Sequence, residues 1–256
     1  MKSHLRFICS VLLASLPALV SAAPLCTAAP DTPTMGIRRV IDGDTLVLAD
    51  GRHVRFIGIN AMELGHDGAV DQPYAAAARD ALKDLIKRHG GLIRLQAGSE
   101  VYDEHGRSLA YLFSSDGEDL GLDLIKGGLA VVIAVPPDVA RLDCYAAAES
   151  AARAAHLGIW SAGSPMLVTA ADAQAVAGGF LIVSGTVTET SQVRAGVQLT
   201  LDHHLRLWVP TDDLPRFASD PVGLKGQKVL VRGWVRDYKG NPELDVHAPA
   251  ALFPLP

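Results

Sequence analysis

The chain has 256 residues, of which 49% are hydrophobic, 20% charged and 5% aromatic, a globular composition that excludes a disordered, collagen-like or coiled-coil protein. Lys and Arg number 23 against 28 Asp and Glu, so the net charge of −5 exerts no overall pull toward nucleic acid or an anionic membrane. Any phosphate site must therefore be local.

In chain order, Lys2 and Arg6 precede an apolar run over residues 7–20, and the small residues Ser21, Ala22 and Ala23 follow it. This is the charged, apolar and cleavage-region order of a secretory signal peptide. The run is shorter than the ~20 residues that span a bilayer, and Pro17 interrupts it. Residues 1–22 are thus expected to be cleaved after Ala22, with Ala23 the next choice, leaving a secreted or periplasmic protein without stable membrane association; an uncleaved membrane anchor is the alternative. Cys9 leaves with the signal. Cys26 and Cys144 remain, an even pair for which a disulfide in an oxidising compartment is one expectation and two free thiols the other.

After a polar lead over residues 23–35, strand signals begin at 37–41 and continue at 45–49 before Asp50-Gly51, a two-residue hairpin signal. Residues 53–59 complete the hairpin and 60–72 read as a loop. Pro73 opens an alanine-rich helix over 74–88, which Gly90-Gly91 ends. Strands are expected at 92–97 and 108–113, a short helix at 120–126, a buried strand within 129–135 and a helix over 138–156. Residues 162–179, rich in Gly, Ala and Ser, read as a linker between a domain at 36–161 and another at 180–256. The second domain shows strand-like runs at 180–187, 197–202, 205–209, 228–235 and 244–247, with a helical patch at 214–218 between the third and fourth. Five short strands interrupted in that way are the order of an OB-type barrel, though small antiparallel barrels of other topologies give nearly the same pattern.

Three segments carry chemistry: Asp42-Gly43-Asp44-Thr45, the stretch from Arg55 to Glu63, and Asp103-Glu104-His105-Gly106-Arg107. Each alone has a bland reading, as a turn, a solvated acid or a surface arginine. Together, Asp44 and Glu63 are hard-oxygen acids, and Arg55 and Arg107 are forked cations. Carboxylate oxygen suits Ca²⁺, while guanidinium groups bind phosphate and stabilise the extra charge of a phosphoryl transition state. A remaining carboxylate can deprotonate or orient water. Metal, base and two arginines are the components of phosphodiester hydrolysis.

At these residues, and at Gly106-Arg107-Ser108-Leu109-Ala110 and Ile159-Trp160, the sequence closely resembles the staphylococcal nuclease (thermonuclease) family over residues 36–161. The resemblance implies a mainly β fold with helices, an OB-like barrel of the staphylococcal nuclease type, followed here by the second small OB-like barrel. It also implies Ca²⁺-dependent hydrolysis of DNA and RNA with little sequence preference, by attack of water on phosphorus; a monomer is expected, and an endonuclease is one expectation with exonucleolytic cutting the other. Glu63 would be the general base or water-orienting residue, and Arg55 and Arg107 the phosphate clamps. Asp44, the Asn60 side chain and the Ala61 carbonyl would be the metal ligands. Three departures stand out: Asn60 replaces an Asp, Met62 replaces a proline, and Ala134-Val135-Pro136-Pro137 stands where the family has tyrosines near the substrate bases. A non-catalytic nucleic-acid- or protein-binding module on a disabled barrel is the alternative expectation. In the second domain, Arg232, Trp234 and Arg236 alternate along one strand face and form a candidate nucleic-acid contact, the bland reading being a solvated face.

Overall fold

The computed structural model describes residues 32–65, 68–173 and 179–255; the expected signal segment 1–22 and Cys26 lie outside them. Strands β1 (Thr34–Val40), β2 (Thr45–Leu48) and β3 (His53–Phe56) form a meander. Asp50-Gly51 turns β2 into β3 with Gly51 at φ 94°, a conformation that a side chain would strain. The run expected as one strand over 53–59 is divided by Gly58 at φ 82°, and β4 (Ile59–Ala61) leaves the sheet. Then come α1 (Ala75–Arg88), β5 (Leu92–Tyr102), β6 (Ser108–Ser114), α2 (Leu120–Lys126), β7 (Ala130–Val132) and α3 (Leu142–Ala154).

The order β1-β2-β3-β6-β5 closes into a barrel, with β3 and β6 parallel and the other neighbours antiparallel. β4 and β7 pair as a separate ribbon. The core is aliphatic and aromatic, with Leu46, Val54, Phe56, Ile93, Leu112 and Phe113 at its centre. Helix α1 covers it with Ala78, Leu82, Leu85 and Ile86, the i, i+3, i+4 stripe of an amphipathic helix. A Cβ at Gly43 would stand 2.6 Å from the Cβ atoms of both Ala61 and Ala78, so glycine lets the Asp42–Asp44 turn approach β4 and α1.

The stretch 162–179, expected to be a linker, contains β8 (Leu167–Thr169) and α4 (Ala170–Ala173). β8 pairs in parallel with the next strand, and Met166 is buried beside Ala170 and Ala173, whose small side chains suit close packing as well as loops. Strands β9 (Phe180–Val193), β10 (Gly196–Leu201), β11 (Leu205–Pro210), β12 (Lys228–Tyr238) and β13 (Asn241–Asp245) close a second ring through β12 and β9, with β11 and β13 parallel. This is the strand order of the first barrel, repeated; both are OB-like. The helical patch expected at 214–218 is a 3₁₀ segment, Thr211–Arg216, with Pro215 inside it. β14 (Leu252–Pro254) pairs with β12 at the end.

One apolar cluster joins the barrels, with Met62, Ala152 and Trp160 packing against Phe180, Ile182 and Leu230. Within this boundary Arg232 is 2% exposed and pairs with Glu149 of α3 and with the Ala250 carbonyl. Glu149 also accepts the Val132 N–H at 2.8 Å. Arg232 is therefore corrected from a nucleic-acid contact to a buried structural cation. The alternation along β12 is as expected, but α3 covers the part of that face which carries Arg232. Arg236 is paired with Glu243 and Asp245. Among the described residues no helix is long and apolar enough to cross a membrane.

Two predictions concern buried charge. Arg232→Met leaves Glu149 uncompensated and should cost about 3–5 kcal/mol. Combining it with Glu149→Gln, which keeps an acceptor for Val132, should cost clearly less; denaturant unfolding of both variants checks the difference.

Asp119 caps α2 by accepting the Leu122 N–H at 2.9 Å, and it accepts the Tyr145 hydroxyl at 3.0 Å. Burial nonetheless pushes its pKa up from 3.8 to about 6. The folded protein therefore holds a proton that the unfolded chain releases above 3.8. Stability from this group is greatest below 3.8 and falls as pH rises toward 6, by at most about 1.4 kcal/mol per pH unit. Asp119→Asn should gain relative to the parent protein between pH 4 and 6 in unfolding midpoints, with a constant difference above pH 7.

Candidate active site

The turn between β1 and β2 is folded by its own acids. The Asp44 N–H donates to Asp42 Oδ1 at 2.9 Å, and Asp44 Oδ1 accepts the Thr45 hydroxyl at 3.0 Å. Asp44 Oδ2 accepts the Ala61 N–H at 2.5 Å and lies 3.1 Å from Arg55 Nη2. Arg55, on β3, donates through Nη1 to the carbonyls of Phe56 and Ile59 at 2.8 Å each, and through Nη2 to Asn60 Oδ1 at 3.0 Å. Asn60 Nδ2 in turn donates to the Ala61 carbonyl at 3.2 Å. The structure thus brings Asp44, Arg55, Asn60 and Ala61 into one buried network.

Glu63 follows β4 by two residues and is exposed. Its main chain is clamped by Gln72, whose side chain accepts the Glu63 N–H at 2.8 Å and whose N–H donates to the Glu63 carbonyl at 2.9 Å. Arg107 precedes β6 and is held by Asp103, which accepts its Nε at 2.6 Å and its N–H at 2.9 Å. Burial disfavours the charge of Asp103, but these bonds outweigh it and hold the carboxyl below its usual range. The terminal nitrogens of Arg107 bond to no described residue and are available to an oxyanion.

Arg55, Asn60, Glu63 and Arg107 line one cleft of about 550 Å³, whose wall includes Trp234 of the second barrel. A larger, more open depression of about 770 Å³ between β1 and α1 carries Arg39, Lys83 and Lys87 but no carboxylate, so it has no base for hydrolysis. Of the candidate contacts in the second barrel, Trp234 therefore reaches the site, whereas Arg232 does not. Cys144 is in a disulfide; its expected partner Cys26 lies outside the described residues.

Asp42 is the participant that sequence reasoning passed over, although Asp42-Gly43-Asp44 contains it. It is 6% exposed, and its pKa rises to about 7, chiefly through burial and then through the negative charges of Asp44 and Glu63. The oxygens of Asp44, Asn60 and Ala61, with Asp42 beside Asp44, are all hard donors, chemically suited to a divalent cation of the Ca²⁺ type. Amide and carbonyl oxygens supply part of that set, and among the described residues no three His, Cys, Asp or Glu side chains are grouped as a metal site.

The sequence model of the family described as staphylococcal nuclease homologue matches residues 53–162, beginning after Asp44 and ending before the second barrel. The thermonuclease of Staphylococcus intermedius is 34% identical over 127 residues, 48% of this chain and 74% of that protein. Endonuclease YhcR of Bacillus subtilis is 30% identical over 142 residues, 51% of this chain but 12% of its own length. The probable endonuclease LCL3 of Leptosphaeria maculans is 32% identical over 126 residues, covering 48% of this chain and 42% of its own. The last two relatives thus extend well beyond what they share with this chain. With the family model matched over residues 53–162 and a relative 34% identical and covered over 74% of its length, the chain belongs to the staphylococcal nuclease family.

Proposed function

We propose that the protein is an exported, Ca²⁺-dependent nuclease that hydrolyses phosphodiester bonds of DNA or RNA with little sequence preference. The observation that carries this reading is the convergence of Glu63, Arg55 and Arg107 on one cleft beside the Asp44 and Asn60 oxygens. The names thermonuclease and endonuclease borne by the relatives support the reaction class. Export is supported by the signal-like order of residues 1–22 and by a disulfide at Cys144, since disulfides persist in oxidising compartments.

In this mechanism Glu63 takes a proton from a water whose oxygen attacks phosphorus, the ester P–O bond breaks, and the expelled oxygen takes a proton from solvent to leave as a hydroxyl. The terminal nitrogens of Arg107 hold the non-bridging phosphate oxygens and meet the charge that develops on them. Both Arg55 terminal nitrogens already serve protein acceptors, so Arg55 acts through its positive charge and by orienting Asp44 and Asn60. Asp44, Asn60 and the Ala61 carbonyl would hold the cation, whose chemistry is to neutralise phosphate charge. A second reading, a non-catalytic nucleic-acid-binding barrel, is favoured by the engagement of Asp44 and Asn60 with Arg55 and by Asn in place of an acid.

Glu63→Gln should lower kcat on single-stranded DNA by about 10²–10⁴-fold, and Arg107→Ala by about 10²–10³-fold, with unfolding midpoints unchanged. Equal turnover in all three proteins would remove these roles. Asn60→Asp restores a ligand charge, so calcium titration of its activity should reach half-maximum at a lower concentration than in the parent protein. A curve unmoved or shifted to higher calcium would remove Asn60 from the metal shell.

A further inference from the structure

We propose that Trp234, supplied by the second barrel, is a stacking platform for a nucleobase of a single-stranded substrate held in the cleft of the first. The proposal rests on the nuclease reading for the identity of the strand, and on independent geometry for the contact. Trp234 lines the same cleft as Arg55, Glu63 and Arg107. It is 54% exposed, an apolar ring left open to solvent where the neighbouring Gly233 and Val235 are buried.

The ring is held in place rather than loose. Phe180, its partner in the β12–β9 register, meets it edge-to-face with centroids 5.0 Å apart and planes at 76°. Two residues earlier on the same strand, Arg232 is locked into α3 through Glu149, so the backbone carrying Trp234 is fixed to the barrel that carries the cleft. Gly233 allows this strand to lie against Leu244, since a Cβ there would stand 3.1 Å from that side chain.

The rest of the cleft indicates what the ring would meet. Glu100, Asp103 and Glu104 lie along its wall, and residues 36–161 hold 13 Lys or Arg against 18 Asp or Glu. A ladder of phosphates would be repelled by such a wall, so charge alone cannot grip a polynucleotide here. A neutral π-face grips a base regardless of its identity, and it needs that base unstacked from its neighbours, which selects a single strand. Arg107 would then take the phosphate while Trp234 takes a base of the same strand.

The test follows cleavage of a fluorescent single-stranded oligothymidylate by the unaltered protein, Trp234→Ala and Trp234→Phe. It is paired with anisotropy of the same strand, and of an abasic strand of equal length, under chelation. Trp234→Ala should raise KM and the apparent Kd about 5- to 150-fold with kcat within about threefold, and Trp234→Phe should recover most of the loss. The abasic strand should bind the unaltered protein and Trp234→Ala alike. Unchanged KM and Kd in Trp234→Ala would overturn the proposal, as would an equal loss on the abasic strand. Absence of cleavage by the unaltered protein, with Trp234-dependent binding of oligothymidylate, would remove the nuclease reading and leave the stacking platform standing.

Discussion

The guanidinium of Arg55 is where three stretches of backbone are tied together. It satisfies the carbonyls of Phe56 and Ile59 across the bend that separates β3 from β4, grips the Asn60 amide oxygen, and pairs with Asp44 from the turn before β2. Both partners of that ion pair are nearly closed to solvent, at 10% and 2% side-chain exposure. A buried pair of this kind is tolerated when further hydrogen bonds satisfy its remaining donors and acceptors. Here the carbonyls serve Arg55, while the Thr45 hydroxyl and the Ala61 N–H serve Asp44. Glu63 leaves this network two residues downstream, with Gln72 clamping its main chain. Arg107 arrives independently through β6, whose parallel register with β3 sets Ser108 beside Val54 and Leu109 beside Arg55. The barrel closure itself brings the two arginines to one end.

The same physics recurs at the boundary between the barrels. Arg232 and Glu149 are each 1% exposed at the side chain, and removing them from water is offset in part by the Ala250 carbonyl, the Val132 N–H and the Phe253 ring, 4.9 Å from the guanidinium, while Arg232 Nε has no partner among the described residues. Arg153 also lies over the Phe253 ring, at 4.4 Å. Charge buried in this way discriminates between arrangements, because any slip of one barrel against the other would strand both ions. The outcome is a composite cleft: the first barrel supplies the acid and the arginines, and the second supplies an aromatic wall.

Much of the fold was legible because its signals are local. Asp50-Gly51, Gly90-Gly91 and the 120–126 helix sit where turn and cap chemistry place them. The start of α3 was not: Asp138 looks like a helix start, but its carboxylate accepts the N–H groups of Ser99 and Glu100 on β5, and the helix begins at Leu142. Asp44, Arg55, Glu63 and Arg107 stood out by the kind and order of their side chains and Asn60 only through the family resemblance; the structure sets Arg55, Asn60, Glu63 and Arg107 on one cleft. The full use of the Arg55 terminal nitrogens was not legible, because two of their four partners are backbone carbonyls, which sequence does not mark. Nor was the fate of Arg232. A period of two assigns a face correctly, yet whether solvent or α3 covers that face is decided by contacts 83 residues apart in the chain.

The central claim is that this cleft directs water to phosphorus in a polynucleotide when a hard cation is present. The most direct measurement is incubation of the purified protein with single-stranded DNA in ¹⁸O-labelled water, with calcium or with chelator, followed by mass analysis of the products. The account predicts calcium-dependent cleavage with one ¹⁸O atom in each new terminal phosphate. Intact DNA at every calcium concentration, or new ends without label at phosphorus, would contradict it.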